Sequence, residues 1–317
     1  MQRAAPARAC GAAPPLPPPR LAPARSRRAP ASQQALPRSR RVTACSLDTA
    51  STAAFAPPLS YDALRADPAA LAAARSHYAA EGWLHVRGAL SGADVAALHA
   101  ATDALEARGA HLTASARVGG VFCEVQSASG RKREPAVAPG VFRKLTGPSK
   151  GSLTFAALRK NPALLFLASR VAGVARPRCA VDQVNTKHPL IGTGFPWHQD
   201  ASFLVGAASR QLAACGGANA VVALDASSAA VGGFEVLGRT HNTDGAFHDL
   251  RGSYDTATVN GEAPSRWDES GRHCPEMAPG DALLFSPFLA HGSGPNVSPT
   301  RRRIATLWFV GTDVDAI

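Results

Sequence analysis

The 317-residue sequence lacks several features that would place it in common protein classes. It has no apolar run of about 20 residues, the length that a membrane-spanning helix requires. Its six cysteines include no Cys-x-x-Cys pair, which argues against a zinc ribbon or a redox dithiol. No internal repeat is visible. The sequence therefore predicts a protein without a transmembrane segment, a zinc ribbon or a redox dithiol.

Acidic residues and lysine are missing from the first 47 residues, which contain nine arginines. This segment supplies +9 of the formal net charge of +11, and the remaining 25 basic and 23 acidic residues nearly balance. The high pI of about 10.0 therefore reflects one segment and not a basic surface on a folded domain. We expect no nucleic-acid partner for the folded part.

The composition of residues 1–47 is typical of an organelle transit peptide. The segment is rich in Ala, Pro and Arg, and it cannot bury enough apolar surface to offset the entropy of ordering. Arg41–Ser46 (RVTACS) is similar to a stromal processing site. We predict a disordered leader that engages organelle import machinery and directs the protein to the chloroplast stroma, with the mitochondrion as the alternative. A basic tail that binds RNA or anionic lipid is a further alternative.

Residues 48–317 are predicted to form a single domain, mainly β with flanking α-helices. Residues 61–80 read as helix on either side of Pro68, residues 83–87 as a strand, and Ser91 begins a capped helix. A helix interrupted near Pro162 follows, over residues 155–171. From Cys179 onward, short apolar runs separated by Gly and Pro favour a sandwich, a jelly roll or a barrel.

A polar segment, residues 127–139, interrupts this pattern and contains the basic run Arg131–Arg133. We expect a loop whose charges are solvated. The alternative is a lid that grips a phosphate group.

The stretch Gly194–Ala201 (GFPWHQDA) contains a possible half of a metal site. In an extended strand, residues two apart face the same side, so His198 and Asp200 could bind one ion while Gln199 points away. A second histidine would complete the two-His, one-carboxylate triad that holds non-haem Fe(II). The candidates for it are His241, His248, His273 and His291.

His291 is the best of these candidates on local grounds. It follows a turn and the apolar stretch Ala282–Ala290, so we expect it at the end of a buried strand. Three arginines, Arg301–Arg303, follow it and begin another apolar strand. A guanidinium near a metal can hold a dicarboxylate in a bidentate pair. Spacing alone leaves open which arginine points inward, because neighbours in a strand face opposite ways.

Together these motifs resemble the phytanoyl-CoA dioxygenase family of Fe(II)- and 2-oxoglutarate-dependent oxygenases, over essentially all of residues 70–310. Glu81–Ser91 resembles the opening strand and helix start of the family, Pro196–Asp200 its metal-binding motif and His291–Ser298 its distal-histidine motif. The resemblance implies a double-stranded β-helix core of the jelly-roll, cupin-like type within residues 48–317.

The resemblance also implies a set of site residues. The Fe(II) ligands would be His198, Asp200 and His291, and 2-oxoglutarate and O₂ would be the cosubstrates. The cosubstrate arginine of the family lies 11 residues past the distal histidine, which selects Arg302. Further cosubstrate contacts would come from the strand before the metal motif, in which one face carries Lys187, Asn185 and Gln183.

The reaction implied is hydroxylation of a C–H bond in a small-molecule or lipid-derived substrate, with release of succinate and CO₂. Asp200 favours hydroxylation over halogenation, while desaturation or ring formation stays open. Two other functions remain possible: a metal-dependent β-barrel enzyme that does not use 2-oxoglutarate, and a catalytically silent binding protein of the same fold.

The chain departs from the family pattern at Val231–Gly233 and Gly238–His241, where the family usually has Asn-Gly and Gly-Ser-His. This departure leaves the substrate open. It also makes His241 a hydrogen-bonding core residue in our interpretation, and not a metal ligand.

Overall fold

A computed structural model of the chain describes residues 58–203, 212, 215–242 and 269–312. The predicted leader, residues 1–47, and His248 lie outside the described residues. The leader and the plastid location therefore stay predictions. In the described part of the chain, no helix is both long enough and apolar enough to cross a membrane.

The helices at the start of the described chain begin and end where the sequence predicts. The Asp67 side chain accepts a hydrogen bond from the Ala69 amide and so caps the helix that starts at Pro68. That helix ends at Gly82, whose φ of 80° is readily adopted by glycine. Ser91 and Asp94 form the expected capping box. The helices are α1 (Tyr61–Ala66), α2 (Pro68–Glu81), α3 (Gly92–Arg108), α4 (Leu153–Leu158) and α5 (Pro162–Phe166).

The β-strands begin ahead of the first helix and dominate the second half of the chain. In order they are β1 (Leu59–Ser60), β2 (Trp83–Arg87), β3 (Ala116–Val118), β4 (Val121–Val125), β5 (Phe142–Thr146), β6 (Arg178–Lys187), β7 (Phe195–His198), β8 (Gly217–Ala223), β9 (Glu235–Leu237), β10 (Arg272–His273), β11 (Ala282–Phe285), β12 (His291–Ser293) and β13 (Arg302–Val310).

The described strands form two open sheets. The larger sheet has the order β1-β2-β11-β8-β13-β6-β5-β4-β3 and the smaller has the order β10-β9-β12-β7. Apart from the parallel pair β1 and β2, the strands pair antiparallel. The predicted fold, mainly β with flanking helices and a jelly-roll, cupin-like core, is confirmed.

Both faces of the large sheet are covered, which explains its near-continuous apolar runs. Val222 and Leu284 belong to the hydrophobic cluster that also contains residues of α1, α2 and α3. Val221 and Phe285, which alternate with them along the same strands, pack with Phe234 and Val236 in a second cluster between the two sheets. The second cluster supports the site described below.

The sequence pattern did not predict β3, β4 and β5. These strands carry charged residues that find partners only after the strands have paired, such as Glu124 with Arg143. The interrupted helix is confirmed: α4 and α5 are separate, and a π-helical turn, Leu167–Val171, continues α5. The segment 127–139 contains turns and bends without a strand or helix, as predicted.

Candidate metal and cosubstrate site

The structure brings together the three predicted metal ligands. His198, Asp200 and His291 are all buried, and their potential ligand atoms lie within 4.8 Å of one another. The Asp200 Oδ1 atom lies 3.4 Å from His198 Nε2 and 3.5 Å from His291 Nε2. This two-His, one-carboxylate donor set suits Fe(II).

Asp200 reaches this position by a different local structure from the one predicted. Strand β7 ends at His198, and Asp200 begins a 3₁₀ turn, Asp200–Phe203, so the two ligands do not share one strand face. The chain turns because the Gln199 carbonyl accepts a hydrogen bond from the Ser202 amide and the Gln199 side chain donates to the Phe288 carbonyl. Gln199 does not line the cavity that His198 and Asp200 line, in agreement with the prediction.

His291 also differs from its predicted position. The apolar stretch does not continue as one strand: β11 ends at Phe285, the chain turns, and His291 is the first residue of β12 in the other sheet. A hydrogen bond from the Leu289 amide to the Ser286 carbonyl closes this turn. His291 then pairs with His198 across β12 and β7. Sheet pairing therefore places two ligands beside each other although they are far apart in sequence.

Hydrogen bonds to the backbone set the tautomer of both histidines. His198 Nδ1 lies 2.7 Å from the Pro196 carbonyl, and His291 Nδ1 lies 2.9 Å from the Leu289 carbonyl. Because a carbonyl only accepts, each Nδ1 carries a proton, and in the neutral ring each Nε2 keeps its lone pair for a metal. Burial, and next the nearby His291, lower the pKa of His198, which favours the neutral ring that a metal requires.

A residue that the sequence pattern did not reveal orients the carboxylate. Asn219, on β8, donates from Nδ2 to the Oδ2 atom of Asp200 at 2.6 Å, so Oδ1 is left to face the histidines. Burial raises the pKa of Asp200, but His291 and His198 together outweigh it and hold this pKa below its ordinary value. The carboxylate is therefore ionised and ready to bind a cation.

The three consecutive arginines separate as strand alternation requires. Arg301 pairs with Glu106, Arg303 pairs with Asp225, and both acidic partners lie on the outer side of the large sheet. Arg302 is 1% exposed and its guanidinium lies on the wall of the cavity that contains the metal ligands. Its Nη2 atom donates to the Gly232 carbonyl, and burial lowers its pKa to about 10.

The predicted residues of β6 divide into two groups. Gln183 and Asn185 line the cavity, and Asn185 Nδ2 donates to the Thr306 hydroxyl at 3.0 Å. Lys187 lies opposite Arg302 in the sheet, but its ammonium is occupied by the Ser293 hydroxyl and the Gly294 carbonyl. Burial, and next Arg302, lower the pKa of Lys187 well below its ordinary value. Lys187 therefore anchors the strand that carries His291.

Two of the other candidate histidines lie away from this cavity. His241 Nε2 lies 3.1 Å from the Ala79 carbonyl, in agreement with the predicted hydrogen-bonding role. His273 stacks on Trp83 with ring centroids 5.1 Å apart.

The cavity has a volume of about 370 Å³ and contains several residues that the sequence pattern did not indicate. Three phenylalanines, Phe195, Phe203 and Phe234, supply apolar wall. The Phe234 ring stacks on His291 with centroids 5.1 Å apart. The other unexpected wall residues are Lys144, Thr146, Gly292, Ser293, Ile304, Thr306 and Trp308, and Lys132 of the basic run Arg131–Arg133 also lines the cavity.

The sequence matches the profile of one protein family, described as phytanoyl-CoA dioxygenase (PhyH), over residues 78–304. The chain belongs to the phytanoyl-CoA dioxygenase family. The match contains all seven predicted site residues of this family member. No curated protein matches the sequence.

Solved structures share the fold of this family member. The α-ketoglutarate-dependent epimerase SnoN from nogalamycin biosynthesis is 20% identical, with a TM-score of 0.55 over 77% of this chain and 84% of that chain. EctD from S. alaskensis with bound Fe is 22% identical, with a TM-score of 0.55 over 76% of each chain. EvdO2 from Micromonospora carbonacea var. aurantiaca, complexed with 2-oxoglutarate, is 19% identical, with a TM-score of 0.52 over 76% of this chain and 90% of that chain. At these levels of sequence identity, the similarity shows a shared fold.

Proposed function

We propose that the protein is an Fe(II)- and 2-oxoglutarate-dependent oxygenase that hydroxylates a C–H bond of a small-molecule or lipid-derived substrate. His198, Asp200 and His291 would hold the iron. The family membership and the solved relatives with bound Fe and bound 2-oxoglutarate support this proposal.

The observation that carries the proposal is the state of Arg302. Its Nε and Nη1 atoms are buried and have no hydrogen-bond partner among the described residues. A buried guanidinium with unmatched donors is costly, and a carboxylate is the group that matches its planar fork. Because Arg302 and the three metal ligands line one cavity, a dicarboxylate could bind the metal at one end and Arg302 at the other.

When bound, Fe(II) with 2-oxoglutarate and O₂ would supply the oxidising power for hydroxylation, with release of succinate and CO₂. The residues of the chain bind, orient and shield. Asn219 fixes the Asp200 carboxylate, and the Nδ1 hydrogen bonds of the two histidines aim Nε2 at the site. Phe203 and Phe234 cover the ligands and reduce access of water.

Arg302 and the metal ligands separate this proposal from the two alternatives. A metal enzyme that does not use 2-oxoglutarate would have no need for a buried, incompletely bonded guanidinium beside its metal. A silent binding protein would have no need for three correctly oriented ligands and an ionised Asp200.

Anaerobic titration of the folded domain with Fe(II) and then with 2-oxoglutarate tests the proposal. We expect a weak visible absorption band that develops only when both are present. Replacement of Arg302 by glutamine should weaken 2-oxoglutarate binding at least tenfold, because a charge-assisted bidentate pair is lost. Iron affinity, measured by competition with a chelator, should change little.

The neighbouring arginines provide matched controls. Arg301→Gln and Arg303→Gln remove the same charge from the outer side of the sheet, where Glu106 and Asp225 bind these side chains. Both should keep the affinity for 2-oxoglutarate. Absence of the band in wild-type protein with iron demonstrably bound would remove 2-oxoglutarate from the proposal.

A further inference from the structure

Arg143 is a buried side chain that joins the large sheet to the strand of a metal ligand. It lies on β5 and is 4% exposed, with its Nη1 atom 2.9 Å from the Glu124 carboxylate. Its other donors reach out of the large sheet. Nε donates to the Thr193 hydroxyl at 3.2 Å, and Nη2 donates to the Gly194 carbonyl at 3.0 Å. These two residues directly precede β7, which ends at His198.

The same guanidinium stacks on a residue of the cavity wall. The Arg143 Cζ atom lies 3.6 Å from the centre of the Phe195 ring. A cation is attracted to an aromatic face within about 6 Å of its centre. Phe195 is the first residue of β7 and lines the metal cavity. The Thr193 hydroxyl is also bound by the buried Gln126, whose Nε2 atom lies 3.1 Å away. Three consecutive residues at the start of β7 are therefore fixed in place.

Strand β7 needs such support because it is short and lies at the edge of a sheet. It has four residues, and among the described strands it pairs only with β12. An edge strand has backbone groups on one side that no neighbouring strand binds. Strand β12 is bound to the large sheet through the Lys187 ammonium, which donates to Ser293 and Gly294. Each strand that carries a histidine ligand is therefore attached to the large sheet by a buried cation.

The proposed cosubstrate would span the two sheets. His198 and His291 belong to the smaller sheet, whereas Arg302 lies on β13 of the large sheet. A dicarboxylate of fixed length can bind the metal and Arg302 together only if the distance between them is held constant. Arg143 lies on the large sheet and binds the start of the strand that ends at His198. It therefore acts on that distance.

On the basis of the proposed function, we infer that Arg143 is a positioning residue that sets, through Phe195 and the start of β7, the length of dicarboxylate that the cavity accepts. Arg143 is not among the described residues that line the cavity, so it would act without touching the cosubstrate. A 2-oxo dicarboxylate one methylene longer or shorter would not match the distance from the metal to Arg302.

Anaerobic titration of the Fe(II)-loaded protein with three dicarboxylates tests this inference. The probes are 2-oxoglutarate, 2-oxoadipate, which is one methylene longer, and oxaloacetate, which is one methylene shorter. Calorimetry gives the three dissociation constants. The wild type should prefer 2-oxoglutarate by about tenfold or more, because one methylene in a fitted site changes binding by about 10- to 200-fold. Arg143→Gln should reduce this preference by about fivefold or more, because the two ends of the site are no longer held at one distance.

Two further proteins separate positioning from stability. Arg143→Gln combined with Glu124→Gln also removes the buried carboxylate that would otherwise lose its closest cation, and it should show the same loss of preference. Arg159→Gln is the matched control. Arg159 pairs with Asp182 at 3.2 Å and donates to the Cys179 carbonyl at 2.5 Å, and it is not among the residues that line the metal cavity. This variant should lose thermal stability and keep the preference.

Phe195→Leu tests whether Arg143 acts through the ring. Leucine keeps an apolar wall but removes the face on which the guanidinium stacks, so this variant should also reduce the preference. The double variant with Arg143→Gln should lose no more preference than the more affected single variant, because both changes interrupt the same contacts. Thermal unfolding checks that each variant is folded.

Three results would overturn the inference: equal affinity of the wild type for all three dicarboxylates, a folded Arg143→Gln protein that keeps its preference, or losses that multiply in the double variant. An equal loss of preference in Arg159→Gln would assign the effect to general destabilisation and would also overturn it. The visible band of the wild type with 2-oxoglutarate reports on the proposed function separately. A normal band together with an unchanged preference in Arg143→Gln therefore contradicts only the positioning role.

Discussion

Replacement of Asn219 by leucine removes the hydrogen bond that orients Asp200 and keeps a side chain of similar size. The bond is 2.6 Å long, and both residues are almost fully buried. A buried hydrogen bond to a charged group contributes about 1.5–3 kcal/mol. Loss of a group that orients a metal ligand weakens metal binding about 10- to 100-fold, which corresponds to about 1.4–2.8 kcal/mol. The two estimates agree, so we expect the dissociation constant for Fe(II) to rise by that factor.

Anaerobic competition with a chromophoric chelator measures this constant directly. Thr102→Val is the matched control, because it removes another buried hydrogen bond, from Thr102 to the Leu98 carbonyl within α3. That variant should lose about 1 kcal/mol of stability and keep its metal affinity. An iron affinity of folded Asn219→Leu within twofold of the wild type would refute the orienting role of Asn219.

Two further substitutions, the first with a matched control, test other parts of the structure. Gly232→Ala places a Cβ 2.6 Å from the Gly294 carbonyl at a φ of +69°, so we expect lower thermal stability and several-fold weaker 2-oxoglutarate binding, measured by calorimetry. The control is Gly173→Ala, where φ is +73° and the added Cβ meets open space, so this variant should lose thermal stability but keep its 2-oxoglutarate affinity. Equal 2-oxoglutarate affinity in the two variants would contradict the role given to Gly232. Asp281→Asn should cost about 2 kcal/mol at neutral pH, because Asp281 accepts hydrogen bonds from His85 and from the Gly88 and Ala278 amides. Burial raises the pKa of Asp281, but these donors outweigh burial and lower the pKa below 3.8. The stability that the Asp281 carboxylate contributes is therefore complete above the pKa of the unfolded chain and is lost as the pH falls through the pKa of the folded protein. Denaturant unfolding should therefore show the two proteins converging below about pH 4, and a constant difference would disprove this.

Local rules predicted the parts of the fold that local interactions determine. The helix between Ser91 and Gly109 follows from its capping box. Strand alternation predicted that neighbouring arginines face opposite ways, while the choice of Arg302 as the inward one came from the family resemblance. Strands β4 and β5 were not predicted, because the charged residues Glu124, Arg143 and Lys144 interrupt the apolar pattern that indicates a buried strand. Their charges balance only when the strands lie side by side.

The metal ligands were predictable as residues, but their geometry was not. Asp200 lies in a 3₁₀ turn that depends on a hydrogen bond from Gln199 to the Phe288 carbonyl, 89 residues further along the chain. Asn219 gave no signal, because an asparagine in an Ala-rich strand has no local pattern that links it to Asp200. Such contacts arise from the pairing of sheets and become visible only in three dimensions.

The run Arg301–Arg303 has a consequence for how this chain can tolerate insertions and deletions. Gain or loss of one residue in the turn between β12 and β13 could slip the register of β13 and exchange its inner and outer faces. In most sequences such a slip would remove the arginine from the cavity. Here either neighbour of Arg302 would take its place, so the cavity would keep a guanidinium while the outer ion pairs to Glu106 and Asp225 would rearrange. Because three arginines are adjacent, the cavity would keep a guanidinium after the insertion or deletion of one residue before β13.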